Sequence, residues 1–73
     1  MNDKEKEVVK EALDSQMRKE TFEHAMGRAM RRRGLTYEQY VEVMSQIRET
    51  ARKSKTKIEE AARFLVSSQE EDA

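Results

Sequence analysis

No proline interrupts this chain, and glycine occurs only at Gly27 and Gly34 among 73 residues. The residue types that favour helices, namely Glu, Lys, Arg, Ala, Met and Gln, dominate the rest of the sequence. Strand-like alternation of apolar and polar residues is brief, as at Val41-Glu42-Val43, and lies within a longer helical period. The sequence therefore predicts an all-α fold, a small bundle of three or four amphipathic helices.

The length allows one domain, over residues 1–73. Apolar residues are sparse at both ends of the chain, and the last residues include Glu70, Glu71 and Asp72. We expect a short disordered N-terminus at about residues 1–4 and an acidic C-terminal tail at about residues 68–73.

The clearest local signal lies between Gly34 and Tyr40. Gly34 can adopt the left-handed conformation that ends a helix, and Thr36 with Gln39 has the spacing of a capping box. Leu35 and Tyr40 have the spacing of a hydrophobic staple. An amphipathic helix is predicted over residues 37–53, with an apolar face made of Tyr37, Tyr40, Val41, Met44, Ile47 and Ala51.

A short last helix is predicted over roughly residues 57–68, with Ile58, Ala61, Ala62 and Leu65 on its apolar face. Phe64 falls on another side of this helix. Two interpretations stay open for Phe64: an incidental exposed apolar residue, or the edge of a second contact surface.

The first 33 residues contain two apolar stripes, one through Val9 and one through Phe22, that point about 140° apart on a continuous helix. Either the helix breaks near Lys19-Glu20-Thr21, with Thr21 as a cap, or one long helix buries one face early and the other face late. A break gives four helices in one chain. A continuous helix leaves one stripe for a second chain.

The small size of the chain favours association. It has no cysteine to form a disulfide, and a core of this size stabilises a fold by only about 3 to 5 kcal/mol. We expect a non-catalytic helical interaction module that associates with itself as a homodimer or with another helical protein, so that dimerisation completes the bundle. The candidate contact residues are apolar and adaptable in packing: Phe22, Met26, Met30 and Phe64.

An alternative function is that of a nucleic-acid-binding accessory protein, although the 15 basic and 15 acidic residues leave no net charge. This alternative is based on two basic clusters, at residues 28–33 and 48–57. Both clusters also lie at predicted helix ends, where cations favour the helix dipole. The candidate phosphate-binding residues are Arg28, Arg31, Arg32, Arg33, Arg52, Lys53, Lys55 and Lys57.

Catalysis and metal binding are not expected. The single histidine, His24, has Glu20 one turn before it, and one histidine with one carboxylate is too few ligands for a structural metal site. A surface Glu20–His24 pair is predicted instead. We therefore expect no enzyme activity, no metal and no cofactor.

Membrane insertion is not expected either, because the longest apolar run is Phe64-Leu65-Val66, against roughly 18 residues for a bilayer span. The first residues lack the apolar segment of a secretory signal, and the absence of cysteine fits a reducing compartment. We expect the protein to be cytoplasmic.

Overall fold

A computed structural model describes the backbone of residues 2–71 and the side chains of residues 2–67. Over this part of the chain there are four helices and no strands: α1 (Asp3–Ser15), α2 (Phe22–Arg32), α3 (Tyr37–Ser54) and α4 (Ile58–Glu71). The prediction of a small all-α bundle is confirmed. The version with four helices in one chain is the correct one.

The helices pack as a closed ring in which each one packs mainly against two neighbours. α2 contacts α1 and α3, and α4 contacts α3 and α1. All four helices contribute to one core, whose largest fully buried side chains are Phe22, Met26, Met44, Ile47, Val8, Val9 and Val43. Burial of these apolar groups is the main favourable contribution to folding.

The break between α1 and α2 occurs without glycine or proline. The Thr21 side chain accepts a hydrogen bond from the backbone N–H of His24 at 3.2 Å and caps α2. The Gln16 side-chain amide donates to the backbone oxygen of Glu20 at 2.8 Å, across the connection. Polar side chains thus form hydrogen bonds with backbone N–H and C=O groups that have no partner where the helix is interrupted. The predicted break, with Thr21 as its cap, is confirmed.

The corner between α2 and α3 has the predicted caps. Gly34 has φ +71°, and the backbone N–H of Leu35 donates to the oxygen of Met30 at 2.9 Å, as in a Schellman motif. Thr36 and Gln39 form the capping box at the start of α3. A left-handed residue also follows α3, but it is Lys55, with φ 57°.

The first and last helices reach close to the ends of the chain. α1 begins at Asp3, where Asn2 and Glu5 form a capping box, so residues 3 and 4 are part of this helix. α4 continues to Glu71, beyond the predicted end at residue 68, because no helix-breaking residue stops it. Met1, Asp72 and Ala73 lie outside the described residues.

Candidate contact surface

The predicted association residues do not form one surface. Phe22, Met26 and Met30 are buried in the core of the single chain, whereas Phe64 is 61% exposed on α4. The break before Phe22 explains the difference, because it turns α2 back onto α1 and directs both apolar stripes into the same core. These three residues therefore expose almost no surface, and of the four candidates Phe64 alone is on the outside.

Four large apolar residues are exposed in the described part of the chain: Met17, Tyr37, Val41 and Phe64. Tyr37 and Val41 were predicted to face the core, and this prediction is wrong. The buried face of α3 contains Val43 and Ile47, and Tyr37 and Val41 lie about 80° and 120° from Ile47 around the helix. Tyr37 is 77% exposed and stacks on Tyr40, with ring centroids 6.0 Å apart.

An open groove lies at the corner where α2 meets α3. Its volume is about 390 Å³, and its walls are mainly apolar. We refer to it as the corner groove, and its lining residues are Gly27, Met30, Arg31, Leu35, Thr36, Tyr37 and Tyr40. The Schellman motif and the capping box hold these two helix ends in place. The sequence predicted the turn but not the groove, because the groove depends on how α2 and α3 pack in three dimensions.

Tyr40 fixes one wall of the corner groove. Its hydroxyl donates a hydrogen bond to the backbone oxygen of Glu23 at 3.3 Å, which ties α3 to the first turn of α2. Burial raises the pKa of the Tyr40 phenol, with the nearby Glu23 carboxylate acting in the same direction. Leu35 is also partly buried, so one lining residue of the groove packs against the core.

The arginines of the 28–33 cluster are mostly engaged with acids of α1. Arg33 contacts Glu11 at 2.8 Å and Glu7 at 3.2 Å, and Arg32 lies 3.4 Å from Glu11. The hydrogen bond from Arg33 is the main reason that the pKa of Glu11 is lowered, and the same bond raises the pKa of Arg33. The sequence could not reveal these pairs, since their partners are 22 and 26 residues apart.

Arg31 is different from its neighbours. It is exposed, and within the described residues it makes no ion pair or hydrogen bond through its side chain. Its side chain lines the corner groove beside Tyr37 and Leu35. An unpaired guanidinium thus stands at the edge of an apolar depression, and a guanidinium is well suited to bind a carboxylate or a phosphate.

The 48–57 cluster lies at the other end of α3, about 27 Å along an 18-residue helix. Arg52 and Lys53 both contact Glu49, at 2.8 and 3.7 Å. Lys55 and Lys57 are exposed, with no ion pair to a described acid. The two basic clusters therefore do not merge into one patch in a single chain.

A hydrogen bond joins the first and third corners of the bundle. Gln16 Nε2 lies 3.3 Å from Glu59 Oε2 at the start of α4. Exposed Arg18 and Lys19, in the first corner, therefore lie at the same end of the molecule as Lys55 and Lys57. Arg18 and Lys19 were not among the phosphate-binding residues predicted from the sequence.

The predicted Glu20–His24 pair is present, with His24 Nδ1 2.5 Å from Glu20 Oε2. Only 8% of the Glu20 side chain is exposed, and it also accepts hydrogen bonds from the Met17 backbone N–H and from Arg28. These bonds, first of all the one from Met17, lower the pKa of Glu20. Among the described residues, no group of three or more His, Cys, Asp or Glu is arranged to hold a metal ion.

Comparison with known proteins does not identify a family for this chain. No family model matches the chain, and neither the curated proteins nor the solved structures contain a match. In the described part of the chain, no helix combines the length and the apolar character that a membrane span requires.

Proposed function

We propose that this chain is a small, non-catalytic helical interaction module that associates with itself. The observation that carries the proposal is the corner groove, an apolar depression of about 390 Å³ bordered by exposed Tyr37 and by Arg31, which has no ion pair to a described residue. Exposed aromatic residues and arginines are enriched in the central parts of protein interfaces. The cytoplasmic location expected from the sequence stays a prediction.

Gly27 supports a role for the groove. It lies inside α2, where glycine is less favourable than alanine by about 1 kcal/mol, and its φ is not positive. A Cβ atom built at Gly27 meets no heavy atom within 4 Å. Packing within the chain therefore does not require glycine here, whereas an open groove benefits from the missing side chain.

The non-catalytic part of the proposal rests on how the reactive side chains are used. His24 is paired with Glu20 at an exposed corner, and the hydroxyls of Thr21 and Thr36 cap helices. Ser15 donates its hydroxyl to the backbone oxygen of Glu11 at 2.7 Å. A hydroxyl nucleophile needs an adjacent base, and these groups are engaged in structural contacts.

Sedimentation equilibrium of the wild-type chain, from about 1 µM to about 1 mM, tests the proposal. We expect the average mass to rise from monomer towards dimer across this range. The melting temperature should rise with concentration over the same range, because association stabilises the folded chain. A monomeric mass throughout, together with a constant melting temperature, contradicts self-association.

A second candidate function is nucleic-acid binding. The hydrogen bond between Gln16 and Glu59 adds a structural argument to the one based on the sequence. This contact places the first corner, with Arg18 and Lys19, at the same end as Lys55 and Lys57. Several cations at one end of a molecule attract phosphates, with an affinity that falls steeply with salt.

The test of this second function is titration with random single-stranded and duplex oligonucleotides at several salt concentrations. Binding should weaken in a variant with Lys55→Gln and Lys57→Gln, and the slope of log affinity against log salt should become shallower. The matched control is Arg31→Gln with Arg32→Gln, at the other end of α3. Equal binding by both variants and the wild type contradicts a site at this end.

A further inference from the structure

We propose that the corner groove binds Phe64 of a second copy of this chain, with Glu60 of that copy pairing with Arg31. The inference rests on the self-association proposed above and assigns the surfaces that make it. Each copy supplies one projecting aromatic residue and one groove, so a twofold dimer contains the same contact twice.

The projecting side of the contact lies on α4. Phe64 is 61% exposed, and Glu60 precedes it by one helical turn on the same side. Glu60 is exposed and forms no ion pair within the described residues, even though Lys57 and Arg63 are each three residues away on α4. This surface therefore offers a partner an aromatic ring together with an unpaired carboxylate.

The receiving side has the complementary features. The apolar walls include Met30, Leu35 and Tyr37, and Arg31 is the unpaired cation at the edge. A volume of about 390 Å³ lies within the range of about 300 to 1,000 Å³ that is usual for binding pockets. A phenylalanine ring placed there can pack against Tyr37, and aromatic pairs add stability beyond the burial of area.

Charge complementarity selects this occupant over an unrelated apolar segment. The other arginines of the 28–33 cluster have acidic partners, whereas Arg31, beside the groove, has none among the described side chains. The exposed aromatic residue on α4 is accompanied by Glu60, which also has no partner in the part of the chain that the structure describes. The groove thus offers a cation and the α4 surface offers an anion. Pairing of opposite charges across an interface determines both the partner and its orientation.

Charge reversal tests the pairing. Arg31→Glu and Glu60→Arg should each weaken dimerisation by at least about tenfold in sedimentation equilibrium, because each places like charges opposite one another. The double variant should recover most of the lost affinity. Glu42→Arg is the matched control, since Glu42 is exposed on α3 and away from the groove lining, and it should leave dimerisation unchanged.

A mixing experiment tests the groove and the aromatic residue separately. Phe64→Ser removes the projecting ring, and Gly27→Met fills the groove without meeting any atom near the new Cβ. Each variant alone should stay monomeric at concentrations where the wild type is dimeric. An equimolar mixture should contain a heterodimer, because it retains one intact groove and one intact Phe64.

Helical circular dichroism of every variant shows that the chain is folded before its mass is interpreted. If the wild type dimerises and the Arg31, Glu60 and Phe64 variants dimerise equally well, this assignment fails while self-association stands. If the wild type remains monomeric up to about 1 mM, the assignment and the self-association fail together. If charge reversal weakens the dimer but the double variant does not recover, the pairing of Arg31 with Glu60 is wrong.

Discussion

Arg28 Nη2 lies 2.9 Å from Glu20 Oε1 and 3.1 Å from the backbone oxygen of Ser15, so one guanidinium holds together the end of α1, the first corner and α2. The last carbonyl groups of a helix have no partner within that helix. Arg28 satisfies one of them and also neutralises a carboxylate that is mostly shielded from water. The first corner is therefore closed by side chains rather than by a glycine.

Replacement of Arg28 should loosen the first corner. We expect Arg28→Gln to lower the free energy of unfolding by about 1 to 3 kcal/mol, because hydrogen bonds from a charged donor are lost and Glu20 stays partly buried. Arg32→Gln is the control, as the Arg32 side chain is mostly exposed and, within the described residues, forms an ion pair with Glu11 alone. Urea denaturation measures both variants, and equal losses contradict a special role for Arg28.

The lowered pKa of Glu20 predicts how stability depends on pH. A folded-state pKa below the ordinary value of 4.5 means that the ionised form contributes stability above pH 4.5. This contribution is lost as the pH falls from 4.5 through the folded-state pKa. Glu20→Gln should therefore be less stable than the wild type at pH 7, and the difference should shrink in acid. Denaturation of Glu42→Gln, at an exposed position, should show no such change.

The two glycines should respond in opposite ways to alanine. Gly27→Ala should raise the free energy of unfolding by about 0.5 to 1 kcal/mol, because a helix interior favours alanine and the new Cβ meets nothing. Gly34→Ala should lower it, since φ +71° is strained for any residue with a side chain. Thermal denaturation tests both variants, and destabilisation by Gly27→Ala contradicts the open space at this position.

The hydroxyl of Tyr40 should contribute to stability, while that of Tyr37 should not. Tyr40→Phe removes the hydrogen bond to Glu23 and should cost about 0.5 to 1.5 kcal/mol. Tyr37→Phe is the matched control, because Tyr37 is 77% exposed. If both substitutions have the same effect on urea denaturation, the link between α3 and α2 is weaker than the 3.3 Å contact indicates.

Substitution of Met26 tests whether this side chain is buried in the core of one chain or in an interface between two chains. Met26→Glu should unfold the chain at every protein concentration, because an unpaired carboxylate in a fully buried position costs several kcal/mol, of the order of the whole stability. Met17→Glu, at a position 64% exposed, should remain folded. A folded, monomeric Met26→Glu variant would show that this side chain faces a partner instead of the core.

Sequence reasoning succeeded where the relevant residues are close together in the chain. The caps at Thr21 and Thr36 and the left-handed turn at Gly34 depend on neighbours within a few residues. It failed for Tyr37 and Val41, because the buried side of α3 is set by the positions of α2 and α4 around it. A helical period shows that one face is apolar, but the centre of burial depends on tertiary packing.

The candidate contact surface was harder to predict from the sequence for the same reason. The partners of Arg28 and Arg33 are 8 to 26 residues away, so no local pattern separates these arginines from Arg31. The corner groove combines the end of one helix with the start of the next. Phe64 was identified correctly as lying off the apolar face of α4, because that judgement needs only the helical period.

The closed ring of helices has a consequence for the order in which the molecule assembles. Among the four main helix contacts, three join neighbours in sequence, and the contact between α1 and α4 joins distant parts of the chain. Local contacts form early at a low entropic cost, whereas a contact across 43 residues, such as that between Gln16 and Glu59, requires the closure of a long loop. We therefore expect the pairs α1–α2 and α3–α4 to form first and the contact between α1 and α4 to form last. Phe64 lies on α4 and the corner groove lies between α2 and α3, so both parts of the proposed contact are present only after these two pairs have joined.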